Sequence, residues 1–228
     1  MPCIEGEPLK PIGFDKIIHH KQDHRCKCPI LKQVKVDLRE MISYAVDKWT
    51  INKWCIDTFK QIGRVITANK VKELYDIEDM ILVGTNKVKD TYTDMFRGMF
   101  YEGEGDERKV IDKYYITSNN RLYSNGEIVV ECKQPEKTEC EIRHAFTTHS
   151  IQGETAQHKL FIDSSRMFDS RMFYTAISRA KTIDQIFIID DISTSQKENE
   201  LTEKEKIANQ KKGEKAYANM VAKKRHSY

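Results

Sequence analysis

Hydrophobic positions follow a helical period in the first part of the chain. Over residues 36–49 the apolar side chains recur at the spacing that places them on one side of a helix, at Leu38, Ile42, Ala45, Val46 and Trp49. Residues 54–59 continue an apolar, helical stretch, and Thr67 is a candidate cap for a further short helix. The chain before this point shows little periodicity and holds four of the five prolines, which predicts a connecting segment over residues 1–35.

Strand-like and helical patterns alternate in the second part of the chain. An apolar run at residues 79–85 has the length of a buried strand in a parallel sheet, and residues 86–98 follow as a helix. Residues 110–130 predict short strands around turns. Residues 145–189 indicate a strand, a polar glycine-containing turn, a second strand, a helix and a third strand. This alternation predicts an α/β fold, a parallel sheet flanked by helices, with a small β-rich insertion at about residues 100–140.

The composition is that of a soluble globular protein, since 39% of the 228 residues are hydrophobic and 32% are charged. This length can bury a sizeable core and is typical of one domain with appendages rather than two full domains. No apolar run approaches the roughly 20 residues that a bilayer-spanning helix needs. The first residues also lack the basic and apolar regions of a secretory signal. We therefore expect a soluble, intracellular protein with no membrane partner.

Six cysteines are too sparse for a disulfide scaffold, so reduced thiols are expected. Nitrogen and sulfur donors that can bind zinc cluster near the N-terminus, at His19, His20, His24, Cys26 and Cys28. However, Cys-x-Cys is not the usual Cys-x2-Cys knuckle, and no second pair lies at a suitable distance. We prefer the interpretation of a polar, basic loop and predict no metal site.

The net charge of +3 is unevenly distributed along the chain. Residues 196–228 hold nine Lys or Arg against five Asp or Glu, a charge of +4, whereas the other 195 residues hold 29 against 30, a charge of −1. Any nucleic-acid-binding surface of the body is therefore a local groove rather than a global field. The C-terminal segment lacks an apolar stripe, which predicts a charged tail, helical or disordered. Its basic end can contact nucleic acid non-specifically or simply remain solvated.

Two motifs resemble those of a known family. Residues 149–155, HSIQGET, look like motif V of the superfamily 1 helicases, the RecD-like and UvrD-like motors, and residues 173–181, FYTAISRAK, look like their motif VI. Residues 81–98 are similar to the family's strand-turn-helix, in which a Thr-Asn pair comes after an apolar strand. Residues 120–130 are similar to the segment ahead of motif V, where an Asn-Gly turn precedes a strand.

The resemblance extends to the N-terminal segment, in the same order as in the family. Residues 13–29 resemble the stretch that carries the motif IV arginine, here Arg25, and residues 1–9 resemble the segment after motif III in giant-virus-like members. Motifs V and VI belong to the second RecA-like domain of such motors. The resemblance therefore implies that residues 36–195 form this domain and that the chain starts just past motif III.

The sequence also departs from the family, because it contains no G-x-x-x-x-G-K-[ST] phosphate loop. The resemblance implies that ATP and its Mg²⁺ are held by an N-terminal RecA-like P-loop domain in the same or another chain, and that this chain is inactive alone. With that partner, it implies translocation on single-stranded DNA and unwinding of duplex, in DNA replication or repair. The expected location is the nucleus, the cytoplasm or a viral replication site.

An arginine can serve the phosphoryl transfer of such a motor, because a guanidinium carries a permanent charge on a rigid fork. By resemblance Arg179 is the arginine finger of motif VI, and Arg25 is a second γ-phosphate sensor. Outside this context Arg179 would be an ordinary surface arginine. Gln152 and Gly153 are expected to couple nucleotide state to DNA grip, and Glu154 is a candidate ribose contact, although the family's carboxylate often lies one residue later.

Short polar side chains come after two predicted strands. Four of them stand in a row, Thr147, Thr148, His149 and Ser150, and Thr85 and Asn86 come after the neighbouring strand. Such groups suit the phosphate backbone of single-stranded nucleic acid, and open α/β sheets bind ligands at these strand ends. The alternative for each threonine is a turn or a helix cap. His149 lacks a nucleophile or carboxylate partner, so we discount a general-base role for it.

Two other classes of function compete with a helicase motor. A non-enzymatic half-motor, which binds nucleic acid or docks onto a partner, agrees with the missing phosphate loop. A small phosphotransferase unrelated to helicases needs its own phosphate loop and fails for the same reason.

Overall fold

The computed structural model describes residues 26–44, 46–136, 138–151, 153–167 and 169–190. The helices of these residues are α1 (Pro29–Ser43), α2 (Lys48–Gln61), α3 (Ala68–Leu74), α4 (Asn86–Phe96) and α5 (Ser170–Ile177). The strands are β1 (Val65–Ile66), β2 (Met80–Val83), β3 (Phe100–Glu102), β4 (Lys109–Ile116), β5 (Ile128–Glu131), β6 (Cys140–Ile142), β7 (Ala145–Thr147), β8 (Leu160–Asp163) and β9 (Ile186–Ile189). Two short 3₁₀ turns lie at Gly105–Glu107 and Ile183–Gln185.

The main sheet contains five parallel strands in the order β1-β9-β8-β2-β7. Successive residues of each strand point to opposite faces, and both faces are covered. Leu82, Phe146 and Ile162 pack in one core cluster with side chains of α1, α2 and α5. Ile81, Ala145 and Phe161 pack in the other cluster, with side chains of α3 and α4. The predicted α/β fold, a parallel sheet flanked by helices, is confirmed.

The parallel arrangement gives the main sheet two distinct edges. We call the edge where its strands end the carboxyl edge, and the edge where they begin the amino edge. The chain between α4 and β7 forms a separate antiparallel sheet, in which β4 pairs with β3, β5 and β6. This inserted sheet is the predicted β-rich insertion.

The first helices differ from the pattern in their limits. Helix α1 begins at Pro29, seven residues before the predicted start, and ends at Ser43, so the predicted helix over residues 36–49 is two helices. Proline fits the first turn, where its missing N–H has no helical partner to lose. Asp47 starts α2 by accepting hydrogen bonds from the backbone N–H groups of Trp49 and Thr50 at 3.0 and 3.1 Å. The predicted cap Thr67 is confirmed, since its hydroxyl accepts from the Lys70 N–H.

Several expectations lie partly or wholly outside the described residues. These are the connecting segment up to residue 25, the charged tail and the three histidines of the candidate zinc cluster. The five cysteines within the described ranges are free thiols, and those ranges contain no group of three or more potential metal ligands. No helix in the same part of the chain has the length and apolar character that crossing a membrane requires.

Candidate nucleotide and nucleic-acid interface

The structure brings the two groups of predicted strand contacts together at the carboxyl edge. Strands β2 and β7 are neighbours, with Val83 opposite Thr147 in the register. Thr85 and Asn86 lie just after the end of β2, and residues 147–150 complete and extend beyond β7. Because both strands run in the same direction, these segments lie side by side.

Thr85 also has the structural role that the sequence analysis gave as its alternative, that of a helix cap. Its hydroxyl oxygen caps α4 by accepting a hydrogen bond from the Val88 N–H at 3.4 Å. The hydroxyl proton is not used by this cap, so the side chain can still donate to a ligand. Thr85 is half-buried and Asn86, the first residue of α4, is exposed, so both remain accessible.

Residues 147–150 form a closed turn whose members differ in exposure. The Ser150 N–H donates to Thr147 Oγ1 at 3.3 Å, and the Ser150 hydroxyl donates to the Thr147 carbonyl at 3.0 Å. His149 and Ser150 are exposed. Thr148 is fully buried, and its N–H donates to the Val83 carbonyl at 3.1 Å. Its hydroxyl oxygen has no hydrogen-bond partner among the described residues. The structure therefore presents Thr147, His149 and Ser150 to a ligand, but not the Thr148 side chain.

Gly84 is a residue of this edge that the sequence analysis did not single out. A Cβ atom at this position would lie 1.7 Å from the carbonyl oxygen of Arg166, so only glycine allows the loop after β8 to pack here. A glycine directly after an apolar strand is a sequence signal for such a close backbone approach.

Arg179 lies just beyond α5, on the side of the sheet that α1, α2 and α5 cover. Its guanidinium donates to the Glu154 carbonyl from Nη1 at 3.2 Å, to the Thr175 carbonyl from Nε at 3.1 Å, and to Ser178 Oγ from Nη2 at 2.9 Å. Phe173 packs α5 against the sheet and is fully buried. These three uncharged acceptors help to hold the guanidinium against its own domain.

The glycine of the motif V-like segment lies beside this arginine. Gly153 has a φ of +106°, in the left-handed region that favours glycine, and the Glu154 side chain is exposed. The Ala156 N–H donates to the Arg179 carbonyl at 2.9 Å. The structure therefore brings Arg179, Gly153 and Glu154 together, whereas Gln152 and Arg25 lie outside the described residues.

Gln185 is a second residue that the sequence analysis missed. Its amide nitrogen lies within 2.9–3.3 Å of the carbonyl oxygens of residues 156, 157 and 158. Its amide oxygen accepts from the N–H groups of Lys181 and Thr182 at 2.8 and 3.2 Å. Through these hydrogen bonds Gln185 connects the loop after β7 to the segment after α5. The Thr-x-x-Gln spacing of a capping box, which Thr182 and Gln185 form, was a visible signal.

One loop connects the two parts of the site. The chain leaves β7 through the 147–150 turn at the carboxyl edge and reaches the amino end of β8 at Leu160, with no helix among the described residues between them. Its middle is the segment that Arg179 and Gln185 hold. The hydrogen bond between Arg179 and the Glu154 carbonyl therefore lies only four residues after Ser150, the last residue of the 147–150 turn.

No protein-family model matches the sequence, and no curated protein is significantly similar to it. Solved structures of Pif1 helicases, however, share its fold. A structure on DNA unwinding at forked double-stranded DNA by two coordinating Pif1 helicases matches with a TM-score of 0.51 and 14% identity, over 74% of this chain and 49% of that chain. A crystal structure of Bacteroides Pif1 bound to single-stranded DNA matches with a TM-score of 0.50 and 15% identity, over 74% and 50%.

This chain thus spans about half the length of the solved chains that it matches. At such low identity the similarity concerns the fold alone. The fold of this chain is that of the part of these Pif1 helicase structures that it matches.

Proposed function

We propose that the chain is the second motor domain of an ATP-dependent superfamily 1 helicase that translocates on single-stranded DNA and unwinds duplex. In this proposal it supplies Arg179 to an ATP molecule whose phosphates and Mg²⁺ are held by a P-loop domain in the same or another chain. The single observation that carries the proposal is the loop after β7, which begins at the 147–150 turn and is held at Glu154 by Arg179.

The contacts of Arg179 support a role as an arginine finger. Three of its acceptors are two backbone carbonyls and a hydroxyl, which are uncharged. Hydrogen bonds to an ionised phosphate are roughly twice as strong as those between neutral groups. A γ-phosphate that approaches would therefore compete with the Glu154 carbonyl for the guanidinium. When hydrolysis removes this phosphate, Arg179 would again donate to the Glu154 carbonyl. In this proposal Arg25 senses the same phosphate, Gln152 and Gly153 transmit the change, and the exposed Glu154 side chain contacts the ribose.

The carboxyl edge suits a strand that is held by its backbone. Thr85 and Asn86 offer uncharged donors, which bind phosphate oxygens without reading sequence, and exposed His149 lies on the neighbouring turn. The hydroxyls of Thr147 and Ser150 donate within that turn, so each contacts a phosphate oxygen by exchanging its present hydrogen bond for the new one. Thr148 takes part only indirectly, because its side chain is buried and its N–H ties the turn to β2. With few charged contacts, the isolated chain should bind single strands weakly.

The test joins this chain to an upstream P-loop domain, in a longer natural product or a fusion, and measures ATP hydrolysis with and without single-stranded DNA. Arg179→Ala should lower turnover by about 10³–10⁵ and leave strand binding nearly unchanged. Arg171→Ala is the matched control, because Arg171 is an exposed arginine on α5. Normal hydrolysis by Arg179→Ala would show that the finger assignment is wrong.

The alternative is a non-enzymatic half-motor that binds nucleic acid or docks onto a partner. The absence of a phosphate loop from the 228 residues favours it. The mass of the native product, detected with an antibody against residues 223–228, separates the two. A band well above 26.7 kDa supports the joined motor, and a band at 26.7 kDa supports a separate half-motor that needs a partner with a P-loop or has a binding role only.

A further inference from the structure

A buried polar network connects the inserted sheet to the amino edge of the main sheet. Its four titratable members are at most 9% exposed: Tyr75, Asp112, Lys113 and His144. Asp112 and Lys113 belong to β4, Tyr75 comes directly after α3, and His144 directly precedes β7. The proposed function uses none of them. Burying charged groups costs much free energy unless they are paired, so their contacts require a structural explanation.

The contacts form a chain of hydrogen bonds with a consistent direction. Lys113 Nζ donates to Tyr75 Oη at 3.2 Å and to the backbone carbonyl of Asp79. Tyr75 Oη lies 3.2 Å from His144 Nδ1, and His144 Nε2 lies 3.1 Å from Asp112 Oδ1. Because a carboxylate only accepts, His144 Nε2 carries the proton and donates to Asp112, which leaves Nδ1 as an acceptor. The Tyr75 hydroxyl has two acceptors within reach, Nδ1 and the His144 carbonyl at 3.3 Å.

Helix α4 is tied into the same network. The Gly98 N–H, just after the helix, donates to Asp112 Oδ1 at 3.0 Å. The His144 N–H donates to Thr93 Oγ1 at 3.3 Å. Asp112 therefore accepts from two elements at once, the end of α4 and the start of β7.

The positions of these anchors relate the network to the proposed nucleic-acid contacts. Asp79, which accepts from Lys113, directly precedes β2, and His144 directly precedes β7. The opposite ends of the same two strands carry Thr85 and the 147–150 turn. Strands of three or four residues span only about 10–13 Å. The inserted sheet thus holds β2 and β7 at one edge, and the same strands present the proposed contacts at the other.

We infer that Asp112, Lys113 and His144 are positioning residues, which hold the inserted sheet, β2 and β7 as one rigid unit and so set the geometry of the strand contacts at the carboxyl edge. The nucleic-acid part of this inference rests on the proposed function. Hydrogen bonds are directional, and a misplaced inserted sheet would leave buried charges unpaired. The pKa values agree with the directions of these hydrogen bonds. Burial lowers the pKa of His144, which keeps the imidazole neutral. Burial also lowers the pKa of Lys113, to about 8, so Lys113 is mostly charged at pH 7 and can donate.

The first experiment measures amide hydrogen exchange by NMR on the full chain. Asp112→Ala should speed exchange of the Gly98 amide and, at the opposite edge, of the Thr148 amide, by roughly tenfold or more. Asp112→Asn should restore slow exchange, because its side-chain oxygen still accepts from Gly98 and His144. Glu139→Ala, which removes an exposed carboxylate next to the inserted sheet's β6, is the matched control and should change neither amide.

The second experiment measures binding of a labelled single-stranded oligonucleotide to the same variants by fluorescence anisotropy. Asp112→Ala should bind roughly three- to thirtyfold more weakly than wild type, and Asp112→Asn should bind nearly as tightly. Imidazole ¹⁵N shifts should report the Nε2–H tautomer of His144 in wild type and in Asp112→Asn. This spectroscopic signature would not be expected if Asp112 merely filled space.

The outcomes separate this inference from the proposed function. Folded Asp112→Ala with wild-type exchange at Thr148 and wild-type strand affinity would overturn the inference. If Asp112→Ala does not fold, Lys113→Met, which keeps the volume and removes both donated bonds, is judged by the same exchange criterion. If wild type binds no strand, the proposed function fails, and the Thr148 exchange still decides whether the network positions the carboxyl edge.

Discussion

Lys113→Met removes a buried ammonium group and keeps a side chain of similar length. Burial lowers the pKa of this lysine from its ordinary 10.5 to about 8, although the charges of Asp79, Glu78 and Asp76 partly oppose the shift. The side chain is 4% exposed in a region rich in aromatic rings, so water contributes little to its solvation. Its two hydrogen bonds, to Tyr75 and to the Asp79 carbonyl, take the place of hydrogen bonds to water.

The sign of the pH effect follows from proton counting. Between pH 8 and 10.5 the unfolded chain binds a proton at Lys113 that the folded chain has released, so the free energy of unfolding rises with pH in this window. The stabilisation is fully present above the unfolded pKa and is lost as the pH falls through 8. A shift of about 2.5 units corresponds to about 3 kcal/mol in total, of which about 2 kcal/mol falls between pH 7.5 and 9.5.

Urea unfolding of wild type and Lys113→Met at pH 7.5 and 9.5 measures this effect. The free energy of unfolding of wild type minus that of the variant should rise by about 2 kcal/mol with pH. The subtraction removes groups that act in the opposite direction, such as Cys55, whose pKa is raised by burial. Lys109→Met, at an exposed position of the same strand, is the matched control substitution. An unchanged or falling difference for Lys113→Met would refute the reasoning that burial dominates.

Three further substitutions, at Gly84, Asp47 and Thr147, test local features, and Gly63→Ala is the control for the first. Gly84→Ala should destabilise the fold by about 2–4 kcal/mol in urea unfolding, because its Cβ would meet the Arg166 carbonyl at 1.7 Å; Gly63→Ala, with a φ of +68° and open space, should cost only about 1 kcal/mol. Asp47→Ala removes the cap of α2 and should cost about 1 kcal/mol, and a loss near zero would contradict the capping role. Thr147→Val should weaken single-strand binding by about 1 kcal/mol without changing its salt dependence, because the lost hydroxyl is uncharged; a changed salt slope would argue against a neutral phosphate contact.

Patterns of local spacing predicted much of the architecture. The apolar run of β2, the cap at Thr67 and the alternation of strands and helices each depend on neighbouring residues, and the structure has them. The limits of α1 and α2 were predicted less well, because the apolar period continues across Asp47 and conceals the break. Asp47 itself is a typical capping residue, so this signal was present in the sequence.

Some features of the candidate site also follow from local sequence, and others depend on distant parts of the chain. Ser178 and Arg179 come after an amphipathic segment, and the motif resemblance predicts a functional role for Arg179 without a structure. The burial of Thr148 beside the half-buried Thr147 agrees with the strand period, because successive residues point to opposite faces. The roles of Gln185 and Gly84 depend on loops that come from distant parts of the chain.

The sequence by itself predicted the α/β alternation of the elements and the inserted strands, because these depend on spacings within about ten positions. Only the tertiary structure decided which polar residues are buried and what they contact. Lys113 looks like a surface lysine in the strand sequence, yet it meets Tyr75 across 38 positions, and Tyr75 meets His144 across 69. The physical reason is that the inserted sheet packs on the amino edge, and the free energy of a buried charge is set by the partners that this packing brings to it.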